Sequence, residues 1–252
     1  MKTGIYLSYV GLGANLLHLS YCHQIAKKHG PVTVITLCKN LEEAIIDDPL
    51  IEKVYYLNKY HKKFLDIFSL SGKLRQFNLD NLLIFYPSIR IYLSAKIANI
   101  KNISIYNIFK KKNLHLVNAA KDLTEKFLSI KNCPTETKFF IKQEKLNNIN
   151  KELNDDKFKI VIGAGSSGAT TRWGSKNFSQ LINQLNELDN YFFFILCGPN
   201  EKEIENQIIS NLNKKNYMTL SEKKIKDLIP YLCASDMYVG NDSFGSHITS
   251  QS

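Results

Sequence analysis

The sequence predicts an α/β protein of two doubly wound domains, and three observations carry that prediction. Short runs of branched and aromatic residues alternate with segments of helical period along the 252 residues. Two of these runs, 4–9 and 158–162, each lead into a turn with glycines and open a separate series. The charge divides near the same place. Residues 1–150 hold 22 Lys and Arg against 11 Asp and Glu, and residues 151–252 hold 11 against 12. The net +10 therefore belongs to the first series. With 44% hydrophobic and 22% charged residues the composition is globular, which excludes a disordered, collagenous or coiled-coil chain. The apolar runs fall short of the roughly 20 residues of a membrane span.

The first series starts with a strand over 4–9 and a turn holding Gly11 and Gly13. Residues 15–29 read as a helix with Leu16, Leu19, Cys22 and Ile25 on one side, ended by Gly30 and Pro31. A buried-type strand follows over 32–37, then a short helix at 40–46 and a strand at 54–57. A helix is expected over 60–77, a strand over 82–86, a helix near 88–98, a strand near 103–106 and a helix over 118–130. This domain is assigned to 1–145. The polar stretch 146–157 reads as a linker. The second domain, 158–252, begins with the strand at 158–162. Helix 177–189, strand 191–197, helix 201–212, strand 217–220, helix 222–233 and strand 237–239 follow. In doubly wound folds, ligands bind at the carboxyl ends of the strands.

A basic chain raises nucleic acid as a partner, but neither zinc-finger spacing nor an RNP-like aromatic motif is present. Lys62, Lys63, Arg90 and the run Lys110 to Lys112 are scattered over the first domain. They read either as a solvated surface or as a face for an anionic partner. Cys22, Cys38, Cys133, Cys197 and Cys233 form no Cys-x-x-Cys pair and read as buried free thiols of a reducing cytoplasm. The short N-terminal apolar run reads as a first strand, not a signal peptide.

Gly163-Ala164-Gly165-Ser166-Ser167-Gly168 follows a strand and matches the dinucleotide fingerprint Gly-x-Gly-x-x-Gly. The fingerprint's helix should begin among the glycines. Here seven residues intervene, so an oxidoreductase is the weakest reading. The loop still suits an anion. Its small residues expose backbone N–H groups, and Thr170, Thr171 and Arg172 add hydroxyls and a fixed cation that can grip a diphosphate. Trp173 reads as a packing anchor beneath the loop. After the last strand, Gly240-Asn241-Asp242-Ser243-Phe244-Gly245-Ser246-His247 opens a helix. Its small residues leave N–H groups for phosphate, His247 offers a ring N–H, and Asp242 reads as a helix cap.

Taken together, Gly165 with Ala169 to Trp173, Leu196 to Glu201, and Asp242-Ser243 with His247 resemble glycosyltransferase family 9, the lipopolysaccharide heptosyltransferases and their relatives. Gly13-Ala14-Asn15-Leu16-Leu17-His18 resembles the family's N-terminal Gly-Asp-x-x-His motif. The resemblance implies a GT-B-like fold, two Rossmann-like domains facing a cleft, with the second domain cut short here by the end of the chain. It implies an inverting transfer from a nucleotide-sugar donor, with no metal or other cofactor, to a cell-envelope glycolipid. The donor would be held by Gly165, Ser166, Thr170, Thr171, Arg172, Glu201, Asp242, Ser243, Gly245 and His247, with Glu201 at the ribose or base.

The chain departs from the family at the catalytic base. Asn15 stands where the family has Asp, and an amide does not accept a proton at neutral pH. His18, one turn further on, is the substitute candidate. Thr171 replaces a family Lys, and Phe244 a Gly. The leading expectation is a glycosyltransferase. The alternative is a catalytically silent nucleotide-sugar or glycan binder. The basic first domain would meet an anionic glycolipid acceptor, with peripheral contact at the cytoplasmic face of the inner membrane.

Overall fold

The computed structural model describes every residue except 59–65, 108–114, 137, 154–156, 167–171 and 189. The described residues form two compact units, Met1–Lys138 and Phe139–Ser252.

The first unit holds β1 (Thr3–Leu7), α1 (Leu12–Leu16), α2 (Leu19–His29), β2 (Val32–Thr36), α3 (Leu41–Ala44) and β3 (Ile51–Tyr56). It continues with α4 (Asp66–Gln76), β4 (Asn81–Ile84), α5 (Ile89–Ile97), β5 (Asn102–Ile105) and α6 (Leu116–Leu128). The five strands are parallel in the order β3-β2-β1-β4-β5. β1 is buried along its whole length, as a central strand covered on both faces requires. Tyr6, Leu82, Ile84, Leu70, Leu74, Ile91 and Ala95 share one core with the helices α4 and α5. The strand order reverses between β1 and β4, so the carboxyl ends of those two strands flank a crevice of the kind that takes ligands.

The second unit holds α7 (Gln143–Leu153), β6 (Phe158–Gly163), α8 (Ser175–Asn186), β7 (Tyr191–Leu196), α9 (Lys202–Ile209), β8 (Tyr217–Thr219), α10 (Ile225–Cys233), β9 (Met237–Gly240) and α11 (Phe244–Thr249). Its strands are parallel in the order β8-β7-β6-β9. The aromatic run of β7 explains the core: Phe193 and Phe194 are fully buried, each contributing about 2–3 kcal/mol. Here the order reverses between β6 and β9.

Two sequence expectations change. Residues 15–29 are two helices rather than one. Leu17 and His18 form a tight junction in which the His18 N–H reaches back to the Asn15 carbonyl at 3.0 Å. The expected linker 146–157 carries most of α7, which packs on α10, and the boundary between units falls earlier, after Lys138. Leu146, Ile149 and Leu153 explain this. Their spacing puts an apolar stripe on an otherwise polar helix, and Ile149 is buried. Elsewhere helices and strands lie within a few residues of expectation, although the start of the expected 60–77 helix lies outside the described residues.

All five cysteines are free thiols and four are buried. Burial pushes the Cys197 thiol up to about 12, which keeps it protonated. Among the described residues no helix is long and apolar enough to cross a membrane.

Candidate functional site

In the second unit the turns after β6, β7 and β9 converge. Asn241, which sequence reasoning passed over, ties two of them together. Its amide donates to the Ala164 carbonyl at 2.7 Å and accepts from the Trp173 N–H at 3.0 Å. Its own N–H bonds the Gly163 carbonyl at 2.8 Å. The side chain is buried at 6% exposure, so these bonds are not shared with water. Close approach explains the glycines. A Cβ on Gly240 would lie 2.5–2.7 Å from backbone atoms of Gly163. A Cβ on Gly165 would run into the Glu201 carboxylate.

Glu201, just after β7, organises the loop. Its carboxylate accepts from the Gly198 N–H at 2.8 Å, the Ser166 N–H at 3.0 Å and the Arg172 Nη2 at 2.8 Å. The same Nη2 donates to the Ser166 carbonyl at 3.0 Å. Three of its roughly four acceptor sites are taken by protein, so Glu201 is a scaffold for the loop and keeps one acceptor site for the expected ribose or base contact. Arg172 is thereby aimed rather than loose. Its side chain is 34% exposed, and among the described residues nothing engages Nε or Nη1. A guanidinium held through one nitrogen and still one-third exposed is a ready partner for a diphosphate.

The turn after β9 supplies the opposite side. The Ser243 and Tyr238 hydroxyls bond at 2.9 Å, and the Tyr238 hydroxyl donates to the Asn241 carbonyl at 2.8 Å. Gly245 is buried. His247 Nε2 lies 4.0 Å from a carboxylate oxygen of Asp242, whose side chain is 89% exposed. The expected capping by Asp242 is not found. The residue at the start of α11 is Ser243, and no side chain caps that end. Trp173 departs from expectation too. It is 51% exposed, and its ring stands nearly perpendicular to that of the buried Phe178, with centroids 4.9 Å apart. Thr170 and Thr171 lie outside the described residues. Gly165, Ser166, Arg172, Glu201, Asp242, Ser243, Gly245 and His247 all lie on turns that end β6, β7 and β9 or on the start of α11.

The first unit holds the other two candidates, and neither is placed to act as a base. The amide of Asn15 is fully buried. It donates to the Tyr9 carbonyl at 3.0 Å and the Gly11 carbonyl at 2.7 Å, and accepts from the Thr36 hydroxyl at 2.8 Å. Every strong hydrogen-bonding direction of the group but one is used to pin the turn after β1 to the end of β2. His18 is 1% exposed. Its Nδ1 meets the Ala14 carbonyl at 2.7 Å, which fixes the proton there. Its Nε2 accepts from the Tyr106 hydroxyl at 3.2 Å. The ring stacks on Tyr9 at 4.8 Å and meets Phe85 edge-on. Desolvation lowers the His18 pKa from the ordinary 6.5 to about 4, so the imidazole is neutral at physiological pH. The expectation that His18 substitutes as the base is corrected: burial and its two hydrogen bonds make it, like Asn15, part of the scaffold.

The sequence model of glycosyltransferase family 9 (heptosyltransferase) matches residues 99–250. No curated protein matches the chain by sequence. Among solved structures, E. coli ADP-heptose LPS heptosyltransferase II superposes with a TM-score of 0.78 at 14% identity, over 100% of this chain and 82% of its own. A glycosyl transferase family 9 protein from Veillonella parvula gives 0.79 at 16%, over 99% and 78%. An E. coli heptosyltransferase solved with ADP-2-deoxy-2-fluoro heptose gives 0.75 at 13%, over 100% and 86%. At these identities the likeness establishes a shared fold.

Proposed function

The chain belongs to glycosyltransferase family 9 (heptosyltransferase), and on that premise we propose that it moves a heptose or related sugar from a nucleoside-diphosphate donor to an anionic cell-envelope glycolipid such as lipopolysaccharide core. The observation that carries this reading is the Arg172–Glu201 pair clamped to Ser166 at the carboxyl end of β6. In an inverting transfer the acceptor hydroxyl attacks the anomeric carbon while the C–O bond to the diphosphate breaks. With no protein base assigned among the described residues, the hydroxyl proton passes to water or to the departing diphosphate. The charge that develops on the leaving phosphate needs fixed donors. Arg172 Nε and Nη1 supply two of them, and His247 adds a ring N–H. A fixed guanidinium can do here what a metal ion does elsewhere, so we read the transfer as metal-free. The same-fold structure that holds an ADP-heptose analogue supports an adenine nucleotide as the first donor to try. The first unit, with its excess of lysine, is read as the acceptor side, working at the anionic cytoplasmic face of the inner membrane.

Asn15 favours a second reading, a catalytically silent nucleotide-sugar binder, because an amide replaces the family's base and is already committed to three bonds. Calorimetric titration with ADP-, GDP- and UDP-sugars in EDTA tests the donor site. Saturable binding to at least one is expected, weakened about tenfold or more by Arg172→Ala and by His247→Ala. Binding of none, or binding untouched by both substitutions, contradicts the site. Sugar transfer by the unaltered chain then separates enzyme from silent binder.

A further inference from the structure

The first unit contains a cavity of about 330 Å³ that the donor chemistry does not use. It sits at the carboxyl ends of β1 to β4, beside the point where the strand order reverses between β1 and β4. Leucine and isoleucine side chains form its buried floor, while Val10 and Asn58 at its mouth are exposed. Tyr6, Ser8, Tyr86 and Ser88 bring hydroxyls to its wall. Arg90 is the one charged residue among the described lining residues.

The state of Arg90 is unusual. Its Nε is buried and has no hydrogen-bond partner. No ion pair or hydrogen bond among the described residues uses its guanidinium. A buried donor left unmade costs about 1–3 kcal/mol, so the guanidinium is held beside the cavity without the partner that would offset that cost. Its position is set rather than accidental. The Ser88 hydroxyl accepts the Ile91 N–H at 3.4 Å and starts α5, which places Arg90 in the first turn with Pro87 fixing the entry. Among the described lining residues no carboxylate competes for the cation.

We propose that this cavity is an oxyanion-recognition pocket in which Arg90 grips the phosphate or carboxylate group of a sugar-sized molecule, with the tyrosine and serine hydroxyls reading its hydroxyls. A guanidinium matches either oxyanion through two parallel N–H bonds. The volume lies at the small end of ligand sites, enough for one monosaccharide unit and too small for a nucleotide sugar. The proposal rests on the acceptor reading of the first unit only for the idea that the anion is carried by a glycan. The pocket itself stands on its own geometry.

The chain has three arginines, Arg75, Arg90 and Arg172, so arginine Nε–H resonances form a three-signal spectrum. The full chain is titrated with glucose 6-phosphate, glucuronate and glucose, with signals assigned from Arg90→Lys and Arg172→Lys. The Arg90 signal is expected to move and saturate with the phosphate sugar, the carboxylate sugar or both, and to stay still with glucose. Which of the two anions saturates it names the source. Arg90→Gln should weaken that binding about tenfold or more, with unchanged circular dichroism. The wild-type spectrum decides the matter even if that variant folds poorly. An Arg90 signal that moves with no anion, or moves equally with glucose, overturns the proposal. ADP moving the Arg172 signal while Arg90 stays silent to both anionic sugars would remove the pocket and leave the donor reading intact.

Discussion

Replacing Asn15 by the carboxylate expected at that place should damage the protein rather than repair an enzyme. The Asn15 amide donates two hydrogen bonds, to the carbonyls of Tyr9 and Gly11 at 3.0 and 2.7 Å, in a site with no solvent exposure. In Asn15→Asp both donors become acceptors. Two bonds worth about 1 kcal/mol each vanish, and two buried carbonyls are left facing a carboxylate, at about 1–3 kcal/mol apiece. The Thr36 hydroxyl can still donate to the new side chain, which returns a little. The net loss at pH 7 is about 3–6 kcal/mol, a large share of a typical domain's 5–15. The sign with pH follows from burial. The carboxyl's folded pKa is raised above its unfolded value of about 3.9, so the folded form binds the extra proton. A protonated carboxyl donates to one carbonyl, and the penalty is smallest below about pH 4. It grows as pH rises toward the raised folded pKa and is complete above it. Urea unfolding followed by circular dichroism, together with amide exchange in α1 and α2, measures this at pH 4 and pH 7. A variant as stable as the parent at pH 7, or one that gains sugar transfer, would refute the structural reading of Asn15.

Three other outcomes follow from the geometry. His18 has a folded pKa near 4 against 6.5 when unfolded, so its contribution to stability is present above pH 6.5 and fades as pH falls through 4, by roughly 3 kcal/mol at most. His18→Phe should flatten that acid limb in a stability–pH profile, and in the unaltered chain the His18 imidazole proton signals should not titrate between pH 5.5 and 8. Gly165→Ala should expel the Glu201 carboxylate, release Arg172 and weaken nucleotide affinity about tenfold without unfolding the chain, which calorimetry and circular dichroism report together. Gly240→Ala, whose new carbon meets backbone rather than a movable side chain, should instead cost several kcal/mol of stability, about 2–4 by thermal melting.

Much of the fold was legible because it rests on local pattern. The buried runs at 32–37 and 191–197 became β2 and β7, and the parallel pairing within each sheet followed from the helices between successive strands. The break at Leu17 and His18 was not legible. It depends on Asn15 and His18 finding partners on Tyr9, Thr36 and Tyr106, up to 88 residues away in sequence. The helix α7 was missed because its polar residues outweighed three well-spaced apolar ones. In the candidate donor site the residue types were legible, but their division of labour was not. Glu201 and Arg172 lie 29 residues apart, and only the meeting of two turns shows that one holds the other. Asn241 looked like one more small polar residue in a glycine turn. A strand-ending Gly-Asn two residues before a helix is the signal that could have found it, since a buried Asn there can bridge two backbones at once.

The central claim, that a nucleoside diphosphate binds where the turns after β6, β7 and β9 meet, is tested most directly by amide hydrogen exchange with and without ADP. Added protection is expected at Ala164–Ser166, Gly198 and Asn241–Ser246, and it should be lost in Arg172→Ala. Exchange unchanged at these turns at saturating ADP, or protection confined to the first unit, would contradict the claim.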